Sequence, residues 1–117
     1  MSTKVLICLY GNEVSPRFDL AREVLIANID RNAAVRKEKE VVLPQASVEI
    51  LCHMIFNEGI QIVVCGGIEE ELYQYLQWKN VKVLDSVIGD GQAVLQRLAG
   101  GMLRAGDIVN GDDGKTG

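Results

Sequence analysis

The sequence predicts a single α/β domain on three observations. Two apolar runs, Lys4 to Tyr10 and Gln61 to Cys65, lack polar alternation, the pattern of strands covered on both faces. Helical spacing over 46–57 and a second helical segment over 69–79 flank the second run, giving the β-α-β-α alternation of a layered α/β sheet. The length, 117 residues, is that of one domain, and folding such a chain buries about two thirds of its unfolded surface.

The first strand, Lys4 to Tyr10, reads as central in its sheet. Gly11-Asn12 opens a polar turn, and Pro16, which lacks an N–H and pushes Ser15 out of the helical region, extends the loop to Phe18. From Asp19 to Asp30 the pattern is ambiguous between a helix capped by Asp19 and the strand-like Val24-Leu-Ile-Ala-Asn-Ile29; a turn followed by a strand is preferred. The next segment agrees with that choice, since Arg31-Asn32 marks a turn and Arg36 to Leu43 reads as the partner strand of a hairpin. Its alternating Lys37, Glu38, Lys39 and Glu40 would protect a sheet edge. Pro44 ends it.

Over 46–57, Val48, Leu51, Cys52, Ile55 and Phe56 form one helical stripe with Glu49, His53 and Asn57 opposite, and Gly59 is the expected stop. Gly66-Gly67 joins the second buried strand to the helix over 69–79, which Leu72 and Leu76 should anchor. Val81 to Leu84 is a short strand, Asp90 a cap, and Gln92 to Ala99 a last helix closed by Gly100-Gly101. The domain is expected to span 1–103, with 104–117 a flexible tail, because the glycines and aspartates there bring too little apolar surface to offset ordering.

Nearly half the residues are apolar, the formal charge is −4 and the pI is about 4.9, which argues against nucleic acid or anionic lipid as partner. No segment approaches twenty apolar residues, so neither a leader nor a membrane span is expected, and a cytoplasmic location is the expectation. Cys8, Cys52 and Cys65 are odd in number and set among apolar residues, which suits a reducing compartment rather than a disulfide framework.

Three stretches carry a family resemblance through their order and separation: Val14-Ser-Pro-Arg-Phe-Asp19, Ile62-Val-Val-Cys-Gly-Gly-Ile68 and Val81-Lys-Val-Leu84. Together, across about 4–103, the chain resembles the dinitrogenase iron-molybdenum cofactor biosynthesis family. The resemblance implies a ribonuclease H-like α/β fold, with a mixed central sheet of about five strands flanked by about three helices. It also implies a small non-catalytic carrier of an iron-sulfur or molybdenum-iron-sulfur cluster, with donor and acceptor proteins as partners; the chemistry would belong to the cofactor. Relatives of this kind need not serve nitrogen fixation. Several carry Ser-x-His-Phe-Gly in the first loop, whereas this chain has Arg17 at the His position and Asp19 at the Gly position. Arg17 could instead hold an anionic cluster through its planar guanidinium.

Cys65 ends a buried strand where α/β sheets place ligand crevices, so it reads either as a soft thiolate metal ligand or as a small hydrophobe. Gly66 and Gly67 read either as an anion-binding turn or as a structural bend, with Glu69, Glu70 and Glu71 opposing phosphate. His53, the sole imidazole, reads as a surface residue or as a terminal metal ligand. Ser15, Arg17, Gly66 and Gly67 are thus the expected cofactor-binding set and Cys65 and His53 the expected metal ligands, with no catalytic residue. Tyr75 and Trp78 share a helix face that either packs on the sheet or docks a partner.

Two other functions compete with the carrier. A nuclease on this fold needs acids converging on two cations, yet the first strand has none. A protein-interaction or regulatory module that has lost cofactor binding is the other, suggested by the missing loop His.

Overall fold

The computed structural model describes residues 2–110. β1 (Ser2–Tyr10) is central: it pairs antiparallel with β3 (Glu23–Asp30) and parallel with β5 (Ile62–Val64). β4 (Val35–Val42) adds to β3 and β6 (Lys82–Leu84) to β5, giving the order β4-β3-β1-β5-β6, with the two-residue β2 (Glu13–Val14) paired beside β1. Only β3 runs against the other four main strands. The expected mixed sheet of about five strands and three helices is present.

Alternation along β1 explains why its apolar run is unbroken. Leu6 and Cys8 enter a core with Phe18, Leu51, Ile55 and Leu76, whereas Val5, Ile7 and Leu9 enter a second core with Val94 and Leu95. Helices α1 (Val48–Asn57) and α2 (Glu70–Trp78) therefore cover one face and α3 (Gly91–Ala99) the other. Each fully buried Leu or Ile contributes about 1.5–3 kcal/mol relative to exposure.

Local signals fix the helix ends. The Ser47 hydroxyl accepts from the Ile50 N–H at 3.2 Å and Asp90 from the Ala93 N–H at 3.0 Å, capping α1 and α3. Gly59, at φ +71°, turns the chain out of α1. On the edge strand β4, Lys37 has φ +53° where the register shifts opposite Ile26 and Asn28, and this bulge joins the exposed charges in blunting the edge.

At the C-terminal end the chain is ordered further than the composition of 104–117 suggests. β8 (Ile108–Val109) pairs parallel with β7 (Ile88–Gly89), and Val109 is buried in the core under α3. Gly89, at φ +147°, is required there because a Cβ would strike the Val109 carbonyl. A two-residue apolar pair between glycines and aspartates carries no periodicity, which is why composition reads it as tail. The rest of the expected tail, 111–117, lies outside the described residues. Among the described residues no helix is long and apolar enough to cross a membrane.

Candidate functional site

The two bends singled out in the sequence meet at the carboxyl ends of β1 and β5. After β1 the chain doubles back through β2, and the Ser15 N–H returns to the Cys8 carbonyl at 2.8 Å. Gly66 N–H then donates to Ser15 O (3.0 Å), Gly67 N–H to Pro16 O (2.7 Å) and Phe18 N–H to Gly67 O (2.8 Å), so that Arg17 and Gly67 form a parallel bridge. Phe18, 1 % exposed, anchors the loop in the core beneath α1 and α2. Gly66 is dictated by this approach: a Cβ there would lie 2.5 Å from Ser15 O and closer still to Pro16 O.

Two clefts open on either side of Gly67. The larger, about 490 Å³, is lined by Tyr10, Val14, Pro16, Val87 and Ile88 with Glu13 and Ser86 as its polar side chains, and by Gly66 and Gly67. The smaller, about 230 Å³, lies between Arg17, Asp19, Ile68 and Glu69. Both sit where the sheet order reverses, since β1 continues to β3 on one side and has β5 on the other, the position at which open α/β sheets hold ligands.

The donors of Ser15, Arg17, Gly66 and Gly67 are already engaged. Besides the glycine amides, the buried Ser15 hydroxyl donates to Arg17 O at 2.7 Å. Arg17 grips Asp19 with a fork of two hydrogen bonds, 2.9 and 3.0 Å, and that bond holds the Asp19 carboxyl below the usual carboxylate range. The expected anion cradle is therefore a self-satisfied joint: Ser15, Arg17, Gly66 and Gly67 do come together, but they bond one another. Sequence could not show how the glycine amides are used, because their bonds to Ser15 O and Pro16 O join residues about fifty positions apart.

Cys65 and His53 do not join them. The Cys65 side chain is fully buried in the core beneath α1 and α2, and burial, with Asp85 nearby, pushes its thiol up to about 12. At neutral pH it is a protonated hydrophobe rather than a thiolate ligand. Cys8 is buried likewise and Cys52 half-buried, and burial raises both thiols. His53 is exposed on α1, where it bonds Asn57 at 2.8 Å. Among the described residues no group of three His, Cys, Asp or Glu side chains could hold a metal ion.

Tyr10, Glu13, Ser86, Val87 and Ile88 were not singled out from sequence. Val87 and Ile88 come just after the end of β6, so the rule that points to Gly66 after β5 could have found them. Nothing local announces Ser86, whose φ of +59° is held by its N–H bonding Gly66 O at 2.9 Å.

The burial pattern predicts thiol reactivity. In native protein at about pH 8, iodoacetamide should modify Cys52 alone, with Cys8 and Cys65 reacting only after denaturation in urea. Intact mass reports the count; rapid native alkylation of Cys65 would contradict the sealed geometry.

Known structures share this fold. The crystal structure of PH0822 superposes with a TM-score of 0.78 at 24% identity, covering 88% of this chain and 94% of its own. A protein described as a candidate dinitrogenase from Methanocaldococcus jannaschii, MJ0327, matches at 23% identity in both its crystal structure (TM-score 0.70, 88% and 93% covered) and its NMR structure (0.71, 90% and 93%). No curated protein matches. The family model described as dinitrogenase iron-molybdenum cofactor matches residues 2–101, from the start of β1 to the end of the last helix and its closing glycines. On a match of that extent, the chain belongs to the dinitrogenase iron-molybdenum cofactor family, whose role is cofactor-related and accessory.

Proposed function

We propose that this protein is a non-catalytic accessory carrier that holds a preformed metal-sulfur cluster, or a precursor of one, as cargo in the cleft at the carboxyl ends of β1, β5 and β6, between donor and acceptor proteins. The observation that carries this is the 490 Å³ cleft framed by the Ser15–Gly67 joint, in a chain of this family. The order β4-β3-β1-β5-β6 with β3 alone reversed also supports the ribonuclease H-like reading of the fold.

The residues present do not fit direct ligation by Cys65, which is sealed in the core, or by His53, which lies exposed on α1 and outside the lining of either cleft. Cargo would be held by enclosure. Tyr10, Pro16, Val87 and Ile88 supply apolar walls, while the rigid glycine joint keeps the cleft open at no cost in reorganisation. Glu13 at the larger cleft, and Asp19 and Glu69 at the smaller, oppose a bare polyanion, so the cargo must enter with its charge largely balanced by its own iron and capping groups.

Anaerobic reconstitution with iron, sulfide and molybdate, with metal and sulfide analysis of the product, tests the proposal. Wild type and Cys65→Ala should retain equal cargo. A metal-free product from both would favour the second reading, an interaction module without cofactor, which the sealed Cys65 and the occupied glycine amides support.

A further inference from the structure

At the end of the molecule opposite the cleft, three aromatic rings and a lysine form a surface that the carrier reading leaves unused. α1 and α2 both run from the carboxyl ends of strands toward their amino ends, so their last turns lie side by side there. Phe56 and Tyr75 meet edge to face, 6.0 Å between centroids at 77°. The Lys79 ammonium sits 5.9 Å from each of those two rings and 5.2 Å from the Trp78 ring. Packing on the sheet does not account for these residues: Trp78 is 75% exposed and Tyr75 41%.

Charge separates along the same helix pair. Glu49, Glu70 and Glu71 occupy the first turns, where carboxylates complement the helix dipole. Near the other ends, Lys4 and Lys39 share Glu58 at 2.8 and 3.7 Å, and among the described residues Lys79 makes no ion pair. In a chain of charge −4, three lysines, Lys4, Lys39 and Lys79, thus lie near these helix ends with Glu58.

We propose that the Phe56, Tyr75, Trp78 and Lys79 surface docks an acidic segment of a partner protein, in which carboxylates flank an apolar side chain. The carboxylate would meet the Lys79 ammonium without displacing any existing pair, and the apolar side chain would cover Trp78. Stacking on three rings holds the ammonium in place beforehand, which lowers the entropy lost on docking. Trp and Tyr are the residues enriched at interface centres, and both are exposed here.

Trp78 is the only tryptophan, so its emission reports this surface alone. The probe is an acetylated peptide, Glu-Glu-Leu-Glu-Glu-Phe-Glu-Glu, titrated into the full chain, with a control in which every Glu is replaced by Lys. A saturable emission shift is expected from the acidic peptide only, weakened at least about fivefold in Lys79→Glu and by added salt. Circular dichroism checks that the exposed substitution leaves the fold intact. A flat titration, an equal response to the lysine peptide, or unchanged affinity in Lys79→Glu would overturn the proposal. So would an emission shift that tracks protein concentration without peptide, with dimers in sedimentation, since a second copy would then be the occupant.

Discussion

Phe18→Ala is expected to destabilise the domain by about 3–5 kcal/mol, the cost of a large aromatic removed from a packed core. Phe18 is the largest of the fully buried side chains, and its ring lies in the core with Leu6, Cys8, Leu51 and Ile55. Its backbone N–H also holds Gly67 O at 2.8 Å, so the ring anchors the loop that frames both clefts. Collapse around the cavity would loosen that loop as well as the core. Leu20, two residues on and 47% exposed, is the matched control: Leu20→Ala should stay within about 0.5 kcal/mol of wild type. Urea unfolding monitored by circular dichroism measures both, and a Phe18→Ala loss below about 1 kcal/mol would show that the loop is not pinned as described.

Gly66→Ala should cost about 2–4 kcal/mol, although it adds a single methyl group. The atoms in the way are the Ser15 and Pro16 carbonyl oxygens, which are backbone and cannot rotate aside as a side chain could. Relieving the clash means breaking the Gly66 N–H to Ser15 O or Gly67 N–H to Pro16 O bond, and hence opening the joint. One residue on, the outcome reverses. A Cβ at Gly67 would meet only Pro16 O, at an ordinary 3.6 Å, so Gly67→Ala should remain within about 1 kcal/mol of wild type. Equal effects at the two positions would contradict the close approach.

Much of this was legible before the fold was known, and the illegible part has a common cause. The unbroken run over β1 showed burial on both faces, Arg31-Asn32 showed the hairpin, and Asp90 and Gly59 showed helix ends; each is a signal within a few residues. That the Ser15 loop and Gly66 share one site was an expectation, since the crevice rule for α/β sheets points to Gly66 but does not place the loop beside it. What those residues do with their donors was not. Whether Gly66 N–H faces solvent or Ser15 O depends on how two remote bends pack, and whether Cys65 faces the cleft or the core depends on strand register. The same holds for Val109, whose burial exists only because β7 lies beside it.

If cargo sits in the cleft beside Gly67 and is not bound by Cys65, filling the cleft must expel it while removing the thiol must not. Gly67→Trp is the test, because position 67 tolerates a Cβ and lines both clefts, so that a bulky side chain there takes up cleft space. After anaerobic reconstitution, with the fold verified by circular dichroism, Gly67→Trp should retain less than about a tenth of the wild-type iron and sulfide, and Cys65→Ala the full amount. Wild-type retention by Gly67→Trp together with loss in Cys65→Ala would place the cargo on the thiol instead.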